Sequence, residues 1–216
     1  MFQDKDDFEK ICEILQYKFK NKKLLLQALT RPSALVEKRQ SREIEDFQRL
    51  EFIGDKVLNL VISHILIELY PSWREGRLTQ ETSKYVNNRG PLAAVARRLG
   101  LGDFLIMGRG EEFNNHAREN DKVLSDAMEA LLGALWLDSG CDFNFLKSFV
   151  IKHWAHLGLI PIVQYEELIT IILDFETPKE KRIKQFQEAF NKIVEPNALN
   201  NIIEHVIDDP EMLAVV

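Results

Sequence analysis

The chain has little of what several function classes require. Its two cysteines, Cys12 and Cys141, stand far apart with no metal-ligand spacing. That argues against a disulfide framework and a thiolate metal site, and for reduced, partly buried thiols in a cytoplasmic protein. The five histidines form neither an HExxH nor a Glu-x-x-His pattern, so the usual helical zinc and di-iron ligand sets are excluded. No apolar run approaches the roughly 20 residues that span a bilayer, and the acidic start Met1-Phe2-Gln3-Asp4-Lys5-Asp6-Asp7 is unlike a secretory signal. There is no sustained period-2 alternation and no Asn-Gly or Asp-Gly turn, which leaves no basis for a hairpin-built β architecture. A basic excess is missing too. With 28 Lys and Arg against 34 Asp and Glu, the formal net charge is -6. That weighs against a simple electrostatic binder of polyanions.

What is there is helix. At 216 residues, 45% hydrophobic and 29% charged, the chain suits one ordinary all-α domain plus a small addition. Apolar spacings of three and four predict helices from Phe8 to Leu15 and from Lys22 to Leu29. A long helix from about Phe47 to Leu69 stops before Pro71, and a polar one runs from Leu78 to Asn87. Gly90-Pro91 marks a turn or start before Leu92 to Leu99. Lys122 to Leu137 is closed by Ser139-Gly140, and Phe143 to Leu157 follows. Between these, Leu35 to Glu45 reads as an exposed, charged connection. Gly100 to Gly110 is broken by four glycines, and Glu111 to Asp121 reads as charged and mobile. Gly158 to Pro161 is the best boundary, giving a domain over 1–157 and a helical extension over 158–216. The extension's three short helices start near Pro161, Pro178 and Pro196.

Two helices carry acids inside apolar stretches. Gln48-Arg49-Leu50-Glu51-Phe52-Ile53-Gly54-Asp55-Lys56-Val57-Leu58 places Glu51 and Asp55 at i,i+4. Val123-Leu124-Ser125-Asp126-Ala127-Met128-Glu129-Ala130-Leu131-Leu132-Gly133 places Asp126 and Glu129 at i,i+3. Each pair shares one helix face, with side-chain origins roughly 5–6 Å apart. Carboxylates are rarely buried without a partner. If the two helices pack together, a hard cation such as Mg²⁺ is the simplest compensation for the four acids. Gly54 and Gly133 cost about 1 kcal/mol each in a helix relative to alanine, and read as points of close helix packing that bring the pairs together. The same acids, taken singly, also fit other roles. Glu51 and Asp55 suit an exposed face paired with Lys56 and Arg49, and Asp126 suits a helix start favoured by the macrodipole.

These stretches resemble the ribonuclease III family. Gln48 to Leu58 is similar to its signature helix ERLEFLGDSVL, and Val123 to Gly140 to its block ILADxxEAxxGAxYLDxG. Leu26-Gln27-Ala28-Leu29-Thr30 with Ser33 is similar to QALTHxS. Tyr70-Pro71 with Glu75-Gly76 and Leu78 supplies a fourth match. The likeness runs from about residue 8 to 157 in the family's order. It implies an all-α endonuclease domain, to which the helical extension read over 158–216 is a small C-terminal addition. This domain would cut double-stranded RNA as a homodimer, leaving staggered ends with 5′-phosphates and short 3′ overhangs. The cofactor implied is Mg²⁺, with Mn²⁺ as a substitute. Glu51, Asp55, Asp126 and Glu129 match the metal-holding acids, and Glu75 a further catalytic acid of the cleavage valley. Phe52 falls where the family inserts an aromatic into the partner subunit. Arg109, Arg118 and Lys122 are candidates for phosphate contacts, which position RNA without reading it; each also suits a solvated surface.

Three departures stand out. Gln48 replaces the Glu that opens the signature, and Arg31-Pro32 replace the His-x of QALTHxS. Residues 160–216 hold no glycine and no Gly-x-Gly-x-Ser-Lys-Lys stretch, so the family's double-stranded-RNA-binding module is not expected there. That tail's apolar positions suggest packing on the nuclease domain or on a partner protein. The alternative function is a weak or inactive ribonuclease-III-fold scaffold that binds RNA or a ribonucleoprotein without cutting.

Overall fold

The computed structural model describes residues 5–38, 47–86, 89–113 and 116–154, with the isolated positions 157, 181, 184 and 185. Among these residues there are ten α-helices, one 3-10 turn and no strand. The helices are α1 (Lys5–Leu15), α2 (Lys22–Leu29), α3 (Pro32–Lys38), α4 (Gln48–Leu69), α5 (Glu75–Val86), α6 (Arg89–Arg98), α7 (Leu101–Phe104), α8 (Arg109–Glu112), α9 (Asp121–Asp138) and α10 (Phe143–Trp154). The all-α expectation holds. No described helix is long and apolar enough to cross a membrane. The described chain divides into two compact units. The first runs to Val61 and then from Ser83 to Leu146; the second takes Ile62–Thr82 and the described residues from Lys147 onward.

In the first unit α9 is the central element. Asn120 caps its start, its side chain accepting from the N–H groups of Lys122 (2.9 Å) and Val123 (3.3 Å). From Ala127 through Leu135 only Glu129 is not fully buried. A helix apolar all round has to be wrapped by others, and α2 and α6 pack on it. Helix α1 contributes Phe8, Ile11, Cys12 and Leu15, an i, i+3, i+4, i+7 stripe that is buried throughout. It ends at Gln16, whose φ of 51° is left-handed, and the Tyr17 N–H turns back to the Cys12 carbonyl.

The far end of α9 is tied to the start of α2 through Asp138. This nearly buried carboxylate accepts from Tyr17 Oη (2.9 Å), the Lys20 N–H (2.8 Å) and the Asn21 N–H (2.7 Å). Asn21 in turn caps α2 through the Lys23 N–H at 3.1 Å. Burial, and then Asp138 itself, push the Tyr17 phenol well above its ordinary range.

Two expectations are corrected here. The connection expected from Leu35 is helical as far as Lys38, because α3 starts at Pro32 and packs against α8. Pro32 suits a first helical position, where its missing N–H does no harm. Glu37 on α3 accepts the Gly110 N–H at 3.3 Å, and the amides of Arg109 and Gly110 hold its carboxyl below the ordinary value. The Glu111 to Asp121 stretch, expected to be mobile, is held at its described residues. Ala117 is buried, and Arg118 donates to the Gly102 carbonyl (2.6 Å) and pairs with Glu112 (2.8 Å). Cys12 is buried and Cys141 exposed, both as free thiols.

The second unit buries Ile62, Ile65, Leu66 and Leu69 of α4 together with Phe149, Val150 and Trp154 of α10. Its nearly buried Lys147 forms an ion pair with Glu68, and His64 Nδ1 lies 3.4 Å from the same carboxylate. The Tyr70 and Trp73 rings stack at 3.8 Å, with the Arg77 guanidinium 3.9 Å from the Trp73 centroid. The extension expected over 158–216 lies outside the described residues apart from positions 181, 184 and 185.

Candidate active site

Helices α4 and α9 meet backbone to backbone. A Cβ added at Gly54 would overlap the Glu129 carbonyl, and one added at Gly133 would overlap the Leu50 carbonyl and stand 2.9 Å from Ile53 Cγ2. The two glycines are thus reciprocal, each opening space for the other helix, as close packing requires. The crossing sets the turn that carries Glu51 and Asp55 against the turn that carries Glu129, with Asp126 one turn earlier on α9.

The electrostatics follow from that placement. Glu129 is pushed from its ordinary 4.5 to about 8, first by burial and then by the charges of Asp55, Glu51 and Asp126, with Lys122 opposing. The four acids are therefore coupled through Glu129. They do not form a finished cage: among the described residues no three acid, histidine or cysteine side chains are arranged to hold a metal. Two of them are instead ion-paired. Lys56 Nζ is 2.7 Å from Asp55 Oδ2, and Lys122 Nζ is 2.7 Å from Asp126 Oδ2. The Asp55 carboxylate raises the pKa of Lys56. Of the alternative pairing considered for Glu51 and Asp55, the Lys56 contact is present.

The donor set fits a hard divalent cation. Every candidate is a carboxylate oxygen, and the repulsion that adds to burial in raising the Glu129 pKa is repulsion a divalent ion would relieve. Glu51, Asp55, Asp126 and Glu129 are the residues that could hold it.

The remaining candidates fall in several places. Glu75 opens α5 in the second unit, exposed, accepting from Thr79 Oγ1 at 3.1 Å. Phe52 is 68% exposed, so it is not packed within its own chain. Lys122 sits at the acids, and Arg118 is engaged with Glu112 and Gly102. Arg109 and Arg118 line a surface cavity of about 610 Å³ with Glu37 and Glu112. Gln48 is the first, exposed residue of α4.

Sequence reasoning missed Arg31 as a site neighbour. Its Nη1 lies 3.5 Å from Asp126 Oδ2, and its Nη2 lies 2.9 Å from Glu111 Oε1. The departure from QALTHxS marked the position, but only the fold brings Glu111 to it.

The ribonuclease III domain model matches residues 48–140, which contain both acid pairs. Ribonuclease 3 of Wolbachia sp. subsp. Brugia malayi (strain TRS) is 43% identical over 145 residues, covering 67% of this chain and 57% of the relative. Ribonuclease 3 of Bacillus licheniformis is 40% identical over 153 residues, covering 69% and 60%. The chain thus spans about three fifths of the length of these curated relatives. Among solved structures, the ribonuclease III nuclease domain of Campylobacter jejuni is 37% identical with a TM-score of 0.61, covering 70% of this chain and 99% of that one. With both acid-bearing helices inside the matched region and that nuclease domain covered end to end, the chain belongs to the ribonuclease III family.

Proposed function

We propose that the protein is a Mg²⁺-dependent endoribonuclease that cuts double-stranded RNA as a homodimer. Its products would be staggered duplexes with 5′-phosphates and short 3′ overhangs. The observation that carries this reading is the Gly54–Gly133 crossing, which sets the turn of α4 bearing Glu51 and Asp55 against the Glu129 turn of α9 in the first unit. Held by these carboxylates, Mg²⁺ would supply an acidified water and neutralise charge on the departing 3′ oxygen, with Mn²⁺ able to replace it. Glu51, Asp55, Asp126 and Glu129 would hold the ion. Lys56 and Lys122, both largely exposed, are free to turn from their carboxylates toward RNA phosphates. Arg109 and Arg118 would add backbone contacts, and Glu75 would act as a further acid of the cleavage valley.

The homodimer is supported by apolar side chains left in water on α4: Phe52 is 68% and Leu60 54% exposed. The Campylobacter nuclease domain is described as having a region involved in dimer formation. A cytoplasmic setting suits Cys12 and Cys141 as thiols.

The test is cleavage of end-labelled long double-stranded RNA in Mg²⁺ and, separately, in Ca²⁺, beside Glu129→Gln. Cutting in Mg²⁺ that the variant loses supports the nuclease. RNA binding without cutting in either metal would favour the scaffold reading, for which Gln48 and the ion-paired Asp55 and Asp126 already speak.

A further inference from the structure

Asp126 Oδ2 is shared by two cations of opposite character. Lys122, one turn earlier on α9, reaches it at 2.7 Å from a side chain that is 56% exposed. Arg31 reaches it at 3.5 Å, in ion-pair range without a hydrogen bond, from a side chain only 14% exposed. Withdrawing the lysine into water costs little. The arginine is fixed on every side. Its backbone N–H donates to the Ile106 carbonyl at 2.8 Å, and its guanidinium lies 5.1 Å from the centroid of the buried Phe47 ring. Its Nε and Nη2 stand 3.1 and 2.9 Å from Glu111 Oε1, and Glu111 is itself held by the Ser33 hydroxyl.

Phe47 closes the arrangement toward the other acid pair, since its carbonyl accepts the Glu51 N–H at 2.7 Å in the first turn of α4. Arg31 thus meets Asp126 by charge and packs on the residue that precedes α4. It cannot leave when the lysine does.

We infer that Arg31 acts through Asp126 by placing a permanent positive charge beside it, so that this chain holds its divalent cation more loosely than the same acids would without it. The inference rests on the reading of Glu51, Asp55, Asp126 and Glu129 as metal holders. A fixed charge close to a ligand oxygen repels an incoming cation whenever the site is shielded from water. Glu111 offsets that charge only in part, because it lies on the side of the guanidinium away from Nη1.

The experiment measures Mn²⁺ binding to the RNA-free full chain by the electron paramagnetic resonance of the free ion, with circular dichroism as the check on folding. Arg31→Gln should tighten Mn²⁺ by about threefold to tenfold, and Arg31→Lys, which keeps the charge, should stay within about twofold of the parent. Should Arg31→Gln fail to fold, Arg31→His at alkaline pH carries the same test with a neutral ring over Phe47. A neutral variant that binds Mn²⁺ as weakly as the parent, or more weakly, overturns the inference, as does tightening by Arg31→Lys. Asp126→Asn separates the two levels: it should weaken Mn²⁺ by about tenfold or more. Unchanged binding in that variant would remove the metal site itself.

Discussion

Gly54 on α4 faces the backbone carbonyl of Glu129 on α9 so closely that no Cβ fits between them. Gly54→Ala must therefore push the two helices apart. Overpacking of this kind costs typically 1–3 kcal/mol, offset by up to about 1 kcal/mol of helix propensity. The expected outcome is a clear fall in the urea midpoint with a proportionally larger fall in RNA cleavage, because the helices that carry the acid pairs separate. Equal losses in both would mean that the crossing serves stability alone.

Glu129 makes metal-free stability depend on pH, and the sign is fixed. Its pKa is about 8 folded against an ordinary 4.5, so between those values the folded state binds more protons than the unfolded. The contribution of this group is full below 4.5 and is lost as pH rises through about 8. In chelator, the melting temperature should fall across that window. The slope should flatten in Glu129→Gln and in saturating Mg²⁺, where the charged form is compensated. A slope unchanged by the variant would assign it to other groups.

Asp138 accepts from three donors on the α1–α2 connection. Asp138→Ala removes the acceptor of a phenol and two backbone N–H groups; Lys20 and Asn21 are exposed, so water takes over in part, and each lost hydrogen bond costs about 1 kcal/mol. A total loss of about 2–3 kcal/mol is expected by chemical denaturation, against about 1 kcal/mol for Tyr17→Phe, which removes only one donor. Comparable losses in both variants would show that the backbone amides contribute nothing.

Much of this arrangement was legible in the sequence because it is local. Helices α2, α4 and α9 follow from apolar periodicity and their stop signals, and the acid pairs from their spacing. Gly54 and Gly133 were informative because glycine inside an apolar helix needs a reason, and the backbone contact is that reason. What escaped was long-range. Helix α3 is covered by α8, with Gly108 pressed against the Ser33 carbonyl. Arg31 finds Glu111 and Asp126, and Asp138 finds Tyr17, across most of the domain's length. Charged stretches such as Glu111 to Asp121 look mobile until the partners of their charges are known. Arg118 shows this most clearly, since it is held by Glu112 and by the Gly102 carbonyl.

Gln48 stands at the exposed first position of α4, where an acid is favoured by the helix dipole by about 0.3–1 kcal/mol. Gln48→Glu should raise stability slightly and leave cleavage equal or faster, most visibly at low Mg²⁺, since it restores a negative charge one turn before Glu51. The readout is the initial cleavage rate across a Mg²⁺ titration. A clear drop would show that the amide itself is used.

Phe52 and Leu60 are the apolar side chains of α4 that the first unit leaves uncovered, at 68% and 54% exposure. Lys56 lies between them in sequence, its ammonium 5.7 Å from the Phe52 ring. If a second copy covers this face, Phe52→Glu with Leu60→Glu places two carboxylates into an apolar contact, and each buried unpaired charge costs several kcal/mol. Sedimentation should then report a monomer. The helical dichroism should persist, because both side chains are more than half exposed in the single chain. Cleavage of both strands should fall together with dimer content, and cleavage restored at high protein concentration would tie activity to assembly. A dimer that survives both substitutions would move the interface off this face.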